Sequence, residues 1–209
     1  MDERADWRYT LVSAVIYLEG GGDSKALRTC CKEGFRKLLI QCGFVGRLPK
    51  LVACGGRGAT FDHFVIAQGE GNVDFVAMWV DSEDLVADLN AAWDHLKARD
   101  GWQQPDGAAN EQVLMSATCM ETLIVADQAT LAEHFNGKVQ ESALPPLVDL
   151  EKRDRHDIQD RLTRATRNCS NAYTKGKRSF EVLSKLKPDV LEELLPSFAR
   201  ARRILEEKL

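Results

Sequence analysis

The chain has 209 residues, 44% of them hydrophobic and 29% charged, with a formal net charge of −4. Those values suit one globular domain with an appendage better than two full domains. Met1 to Arg8 contains Asp2, Glu3 and Asp6 in place of a basic segment leading into an apolar one, and the longest apolar runs, such as Phe75 to Val80, are far too short to span a bilayer. A secreted or membrane-spanning protein is therefore not expected, and a cytoplasmic one is.

Tyr9 to Leu18 is β-branched and apolar, as a strand covered on both faces would be. It runs into Glu19-Gly20-Gly21-Gly22-Asp23-Ser24, a turn that opens a helix with Ser24 or Asp23 as N-cap. Leu27, Cys31, Phe35, Leu38, Leu39 and Cys42 then recur at helical spacing, and Gly43 closes the helix. Lys50 to Cys54 is a second short strand ended by Gly55-Gly56, followed by a helix around Phe61 to Gln68. Val73 to Val80 is a third strand ending at Asp81-Ser82-Glu83-Asp84, with a helix expected over Leu85 to Ala98. After a loop over Arg99 to Asn110, Gln112 to Thr118 reads as a fourth strand and Met120 to Phe135 as a helix. The alternation over residues 1–135 predicts an α/β fold with a parallel sheet and helices on both faces.

Residues 136–209 read as a linker or arm containing Pro145-Pro146, then a helical extension packed on the first part. Helices are expected over Lys152 to Arg167, Ser179 to Lys187 and Val190 to Glu207, with a polar loop at Asn168 to Arg178. Charge divides along the same line. Residues 1–150 carry 13 Lys/Arg against 22 Asp/Glu, a balance of −9, whereas residues 151–209 carry 15 against 10, a balance of +5. Between Arg161 and Lys187 eight basic residues face a single acid, Glu181. This stretch suits a polyanion-binding surface and equally a solvated helix face.

In an open parallel sheet, ligands collect at the carboxyl ends of the strands. Glu19 and Asp81 stand there on separate strands, and Glu83 follows two residues after Asp81. Three converging carboxylates suit Mg²⁺, which favours hard oxygen ligands. The three glycines allow a tight turn and a close approach of backbone to a phosphodiester, and the helix start behind them, with Lys25 and Arg28, favours an anion. Neither GxGxxG nor a GKS/GKT ending is present, so no nucleotide fingerprint supports a phosphate-loop reading. The six cysteines form no CxxC pair and the four histidines no HxH or HxxxH pair, so free thiols and no zinc site are expected. Trp102 can stack on a base or pack over the domain edge, with packing favoured.

Tyr17-Leu18-Glu19-Gly20 after the first strand and Val80-Asp81-Ser82-Glu83-Asp84 after the third resemble the Toprim signature of topoisomerases, primases and the overcoming-lysogenization-defect group of nucleases. More narrowly, YLEGGGDSKALRTCCKEGFRKLL, VACGG, VDSED, WDHLKARDGWQ, CMETLIVAD and YTKGKRSFEVL resemble a Toprim-like family of small uncharacterised bacterial proteins, often encoded beside an AAA/ABC-type ATPase in phage-defence loci. The resemblance implies Mg²⁺ (or Mn²⁺) ligation by Glu19, Asp81 and Glu83, with Glu121 as a further acid and Lys175 as a basic residue near the phosphate. The sequence departs from the family pattern at Glu83, where an aspartate is usual and Asp84 can substitute. It departs also at Leu123, in place of an aromatic, and at Arg178, in place of a histidine.

Two readings follow. In the first, the protein is a Mg²⁺-dependent nuclease acting on DNA or RNA, tRNA among the candidates, as the effector of an ATPase-coupled anti-phage system. Lys25, Arg164, Arg167, Lys175, Lys177 and Arg178 would then hold the nucleic-acid backbone without reading its sequence. In the second it is a non-enzymatic partner of the ATPase, and its metal site is structural or degenerate. An oligomer is compatible with both.

Overall fold

The computed structural model describes residues 13–209. Its sheet is built from the apolar runs as four parallel strands: β1 (Ala14–Gly21), β2 (Lys50–Gly55), β3 (Phe75–Asp81) and β4 (Val113–Ser116). Phe75 to Val80 are all buried, as a strand covered on both faces requires. The strand order is β2-β1-β3-β4, with Leu18 opposite Ala53 on one side and Trp79 on the other. The chain winds outward from β1 to β2, then returns past β1 to β3. The reversal between β1 and β3 opens a crevice at their carboxyl ends.

The Tyr9 to Val12 part of the expected first strand lies outside the described residues, while at its other end the strand extends through Glu19 to Gly21. That extension depends on glycine. Gly20 and Gly21 have φ of 139° and 87°, and a Cβ on Gly21 would stand 2.6 Å from the Arg28 Cα. The glycines turn back across Gly55, which is paired with Glu19, Gly20 and Gly21 in an irregular register.

One face of the sheet carries α1 (Lys25–Gln41), in which Phe35, Leu38 and Leu39 pack with Ile16, Leu18 and Trp79 in the larger core. The other carries α2 (Arg57–Glu70) and α3 (Ala92–Asp100), where Phe64, Trp93 and Leu96 meet Val15, Val76 and Met78. Ser24 caps α1 by accepting a hydrogen bond from the Leu27 amide at 3.4 Å, and Gly43, at φ 94°, follows its end.

Three helices differ from expectation for local chemical reasons. The helix expected from Leu85 starts only at Ala92, because Ser82 Oγ donates to the Asp84 carbonyl and the Asp88 carboxylate accepts from the Asn90 amide, which holds this segment in turns. The helix expected over Met120 to Phe135 is two, α4 (Met120–Ala126) and α5 (Gln128–His134). Asp127 breaks it: its buried carboxylate caps Thr130 and accepts from the Lys187 amide. The last helix is likewise split into α8 (Pro188–Leu194) and α9 (Pro196–Lys208), since Pro196 has no amide hydrogen to continue α8.

Together with α6 (Arg155–Thr166) and α7 (Lys177–Leu183), these helices share the larger core with the sheet through Ile158, Leu183, Leu191, Phe198 and Ile204. α9 also covers the outer edge of β4, where Arg200 donates to the Val113 and Asn110 carbonyls at 2.9 and 2.8 Å. Among the described residues no helix is long and apolar enough to cross a membrane.

Candidate functional site

A cleft of about 350 Å³ opens at the β1/β3 reversal, lined by Glu19, Asp81, the Gly20 to Gly22 turn, Gly55, Lys175 and Phe180 among others. The two acids reach it because the last residues of adjacent parallel strands come side by side. Glu19 Oε2 accepts from the Asp81 amide at 3.2 Å, while the Asp81 carboxylate has no hydrogen-bond partner among the described residues. Burial pushes the Glu19 carboxyl above the usual range despite the lowering effect of Arg57. Burial also raises Asp81, well above its ordinary value, and the charges of Glu19 and Glu121 raise it further.

Lys175 reaches the cleft from the loop between α6 and α7. It is exposed, has no ion-pair partner among the described residues, and its charge acts on both acids. Glu121 is fully buried behind the cleft, not in its lining. It accepts from the Tyr173 hydroxyl at 2.7 Å and the Gln159 amide at 3.1 Å. Burial and the Glu121 charge push the Tyr173 hydroxyl far up, which keeps it a donor.

The structure does not bring Glu83 to Glu19 and Asp81. Its backbone has a positive φ of 66°, and its carboxylate is paired with Arg99 of α3 at 2.6 Å and with Arg155 of α6. Asp84 is mostly exposed and lies 3.0 Å from Arg99. Two carboxylates spaced by one residue share a site only if the loop aims both the same way, and here two arginines from distant helices turn the second aside.

Of the basic residues expected to meet nucleic acid, Lys25, Arg164 and Arg167 are exposed without ion-pair partners among the described residues. Lys177 and Arg178 are paired with Glu181 at 3.7 and 3.9 Å, and only Lys175 of the six lines the cleft. Leu123 is buried in the core. Trp102 packs at the domain edge, stacked on Phe61 with ring centroids 4.3 Å apart.

Sequence reasoning missed Arg57, the first residue of α2. Its Nη1 donates to Glu19 Oε2 at 3.2 Å and also to the Asp81 carbonyl. Nε and Nη2 form a fork on Asp100 at 3.0 and 2.6 Å, and the guanidinium lies 4.9 Å from the centroid of the Trp102 ring. Burial alone would raise Asp100, but hydrogen bonds and charge from Arg57, aided by Arg99, hold it below the usual carboxylate range. The available signal was Arg57's place directly after the Gly55-Gly56 that ends β2, at the same sheet edge as the acids.

No three histidine, cysteine or acidic side chains among the described residues are grouped so as to hold a metal ion. Mg²⁺ commonly takes only one or two protein carboxylates, with water and substrate phosphate completing its shell. Glu19 and Asp81 fit that mode, because the Asp81 oxygens are unpartnered and face a cleft with room for an anion.

Fold and cleft together define an α/β protein with paired acids at the winding reversal of a parallel sheet. The chain belongs to the family described as Domain of unknown function (DUF4276), whose family model matches residues 18–206. Neither a curated protein nor a solved structure matches the chain.

Proposed function

We propose that the protein is a Toprim-type, divalent-cation-dependent phosphodiester hydrolase acting on DNA or RNA. The observation that carries this reading is the pair Glu19 and Asp81 on adjacent strands at the winding reversal, facing a cleft that Lys175 and the glycine turn also line. Held by these two carboxylates, Mg²⁺ or Mn²⁺ would polarise a phosphoryl oxygen. The chain's own groups supply the rest. Gly20 to Gly22 present backbone without side chains and leave room for a phosphodiester. Lys175 offers a point charge where negative charge develops, and the exposed Arg164 and Arg167 add contacts to the nucleic-acid backbone. The Toprim resemblance extends the proposal to an AAA/ABC-type ATPase as partner and to a cytoplasmic role in anti-phage defence.

One observation favours the non-catalytic reading, a regulatory partner of such an ATPase: Glu83 is committed to Arg99 and Arg155. The test is cleavage of end-labelled single-stranded DNA, duplex DNA and RNA with Mg²⁺ or Mn²⁺, with and without the ATPase. Wild type is expected to cleave, and Asp81→Asn to lose activity by at least about a hundredfold, beyond the 10- to 100-fold typical of groups that merely support a metal ligand. Absence of cleavage with every substrate and partner would favour the non-catalytic reading. Activity persisting in both Asp81→Asn and Glu19→Gln would show the site to be misplaced.

A further inference from the structure

Arg57 is placed to do more than pack. It is largely enclosed, with a side chain 13% exposed, and each of its three nitrogens donates to a named acceptor. The fork of Nε and Nη2 on Asp100 and the stack over Trp102 hold the guanidinium from behind. Nη1 is left pointing into the acid pair, onto Glu19 Oε2 and the Asp81 carbonyl. One oxygen of Glu19 is thereby committed to Arg57 and the Asp81 amide, while the Asp81 carboxylate stays open to the cleft.

We propose that Arg57 is a positioning residue that limits the acid pair to one divalent cation, its guanidinium supplying at Glu19 the positive charge a second cation would otherwise bring. The inference rests on the cation-binding reading above and specifies its stoichiometry. Two-cation phosphodiesterases set their ions about 3.5–4 Å apart between shared carboxylates. A fixed guanidinium against Glu19 both occupies an oxygen such sharing would need and repels a further dication in a cleft where burial weakens screening. Asp100 acts through Arg57: by taking two of its donors it fixes which one remains for Glu19.

The test is calorimetric titration of Mn²⁺ into the full chain, read as equivalents bound and not as activity. Wild type should bind one equivalent, and so should Arg57→Lys, which keeps the charge. Arg57→Gln should bind two. Removing Arg57 alone leaves Asp100 enclosed without its fork, so the double variant Arg57→Gln/Asp100→Asn, which removes both members, is titrated beside it and should also bind two. Circular dichroism confirms that each variant is folded. Two equivalents in wild type, or one in both Gln variants, would overturn the role of Arg57 and leave the cation reading standing. If wild type binds no Mn²⁺ at all, the cation reading fails and this inference with it.

Discussion

Asp81 has its carboxylate in a cleft with two other acids at hand and no hydrogen-bond donor on it among the described residues, and the charges of Lys175 and Arg57 offset the acids only in part. Without a cation this is an unfavourable place for a charge. A carboxyl whose folded pKa lies above its unfolded value binds more protons in the native state, so stability falls as pH rises from about 4 through the raised folded value. Asp81→Asn removes the charge and keeps the shape. In chelator at pH 7 it should therefore melt higher than wild type, by about 2–4 °C for each kcal/mol relieved. The difference should shrink as pH falls toward the unfolded value and vanish only about a unit or more below it, where the wild-type carboxyl is protonated in both states. Thermal melts across that range check both points. Gly21 makes the opposite demand on the chain. With φ 87° and the Arg28 Cα 2.6 Å from any added Cβ, Gly21→Ala meets both backbone strain and a backbone clash. We expect a loss of about 2–4 kcal/mol in urea unfolding, because neither contact can be relieved by a side-chain rotation.

Glu19 and Asp81 were legible from sequence as a pair because parallel strands deliver their last residues to one edge whatever happens elsewhere. Glu83 was not. Its direction is set by a positive φ and by arginines on α3 and α6, none of which a spacing of two residues encodes. Glu83 therefore ties a loop to two helices, and Glu83→Ala should cost about 1–3 kcal/mol, since the arginines left behind are only partly exposed. The same substitution should leave Mn²⁺ affinity within about twofold of wild type. A larger change would place Glu83 in the cation site after all. Other departures have the same long-range origin. The Asp127 break between α4 and α5 is held by the Lys187 amide from far along the chain, although the Asp127 cap on Thr130 is local. Pro196 was visible, and its missing amide was reason enough to split the last helix. Arg57's place after Gly55-Gly56 put it at the right sheet edge, but its role was not legible because its partners come from β1, β3 and α3, which only the fold brings together.

For the whole molecule, the alternation of strands and helices was read correctly because each strand is a compact apolar run, and the first three end at glycine or acid. The same reading offers no measure of how far the C-terminal helices enter the core. Leu162, Leu183, Leu191, Phe198 and Ile204 belong to one buried cluster with Ile16, Leu18 and Phe35, and Arg200 covers the β4 edge. A chain ending at residue 135 should consequently fail to fold, showing no cooperative melt by circular dichroism, because the apolar outer sides of α1 and α4 and the β4 edge would be bared. Arg164 lies on α6 and Lys177 and Arg178 on α7, and the loop between these helices sets Lys175 beside the acidic cleft. The proposed function stands on a divalent cation held between Glu19 and Asp81. Paramagnetic broadening of assigned amide resonances by substoichiometric Mn²⁺ tests it most directly. Glu19 to Gly22, Asp81 and Gly176 should broaden first, and Asp81→Asn should abolish the effect. Broadening centred on Glu83, Asp84 and Arg99, or none at stoichiometric Mn²⁺, would contradict that placement of the cation.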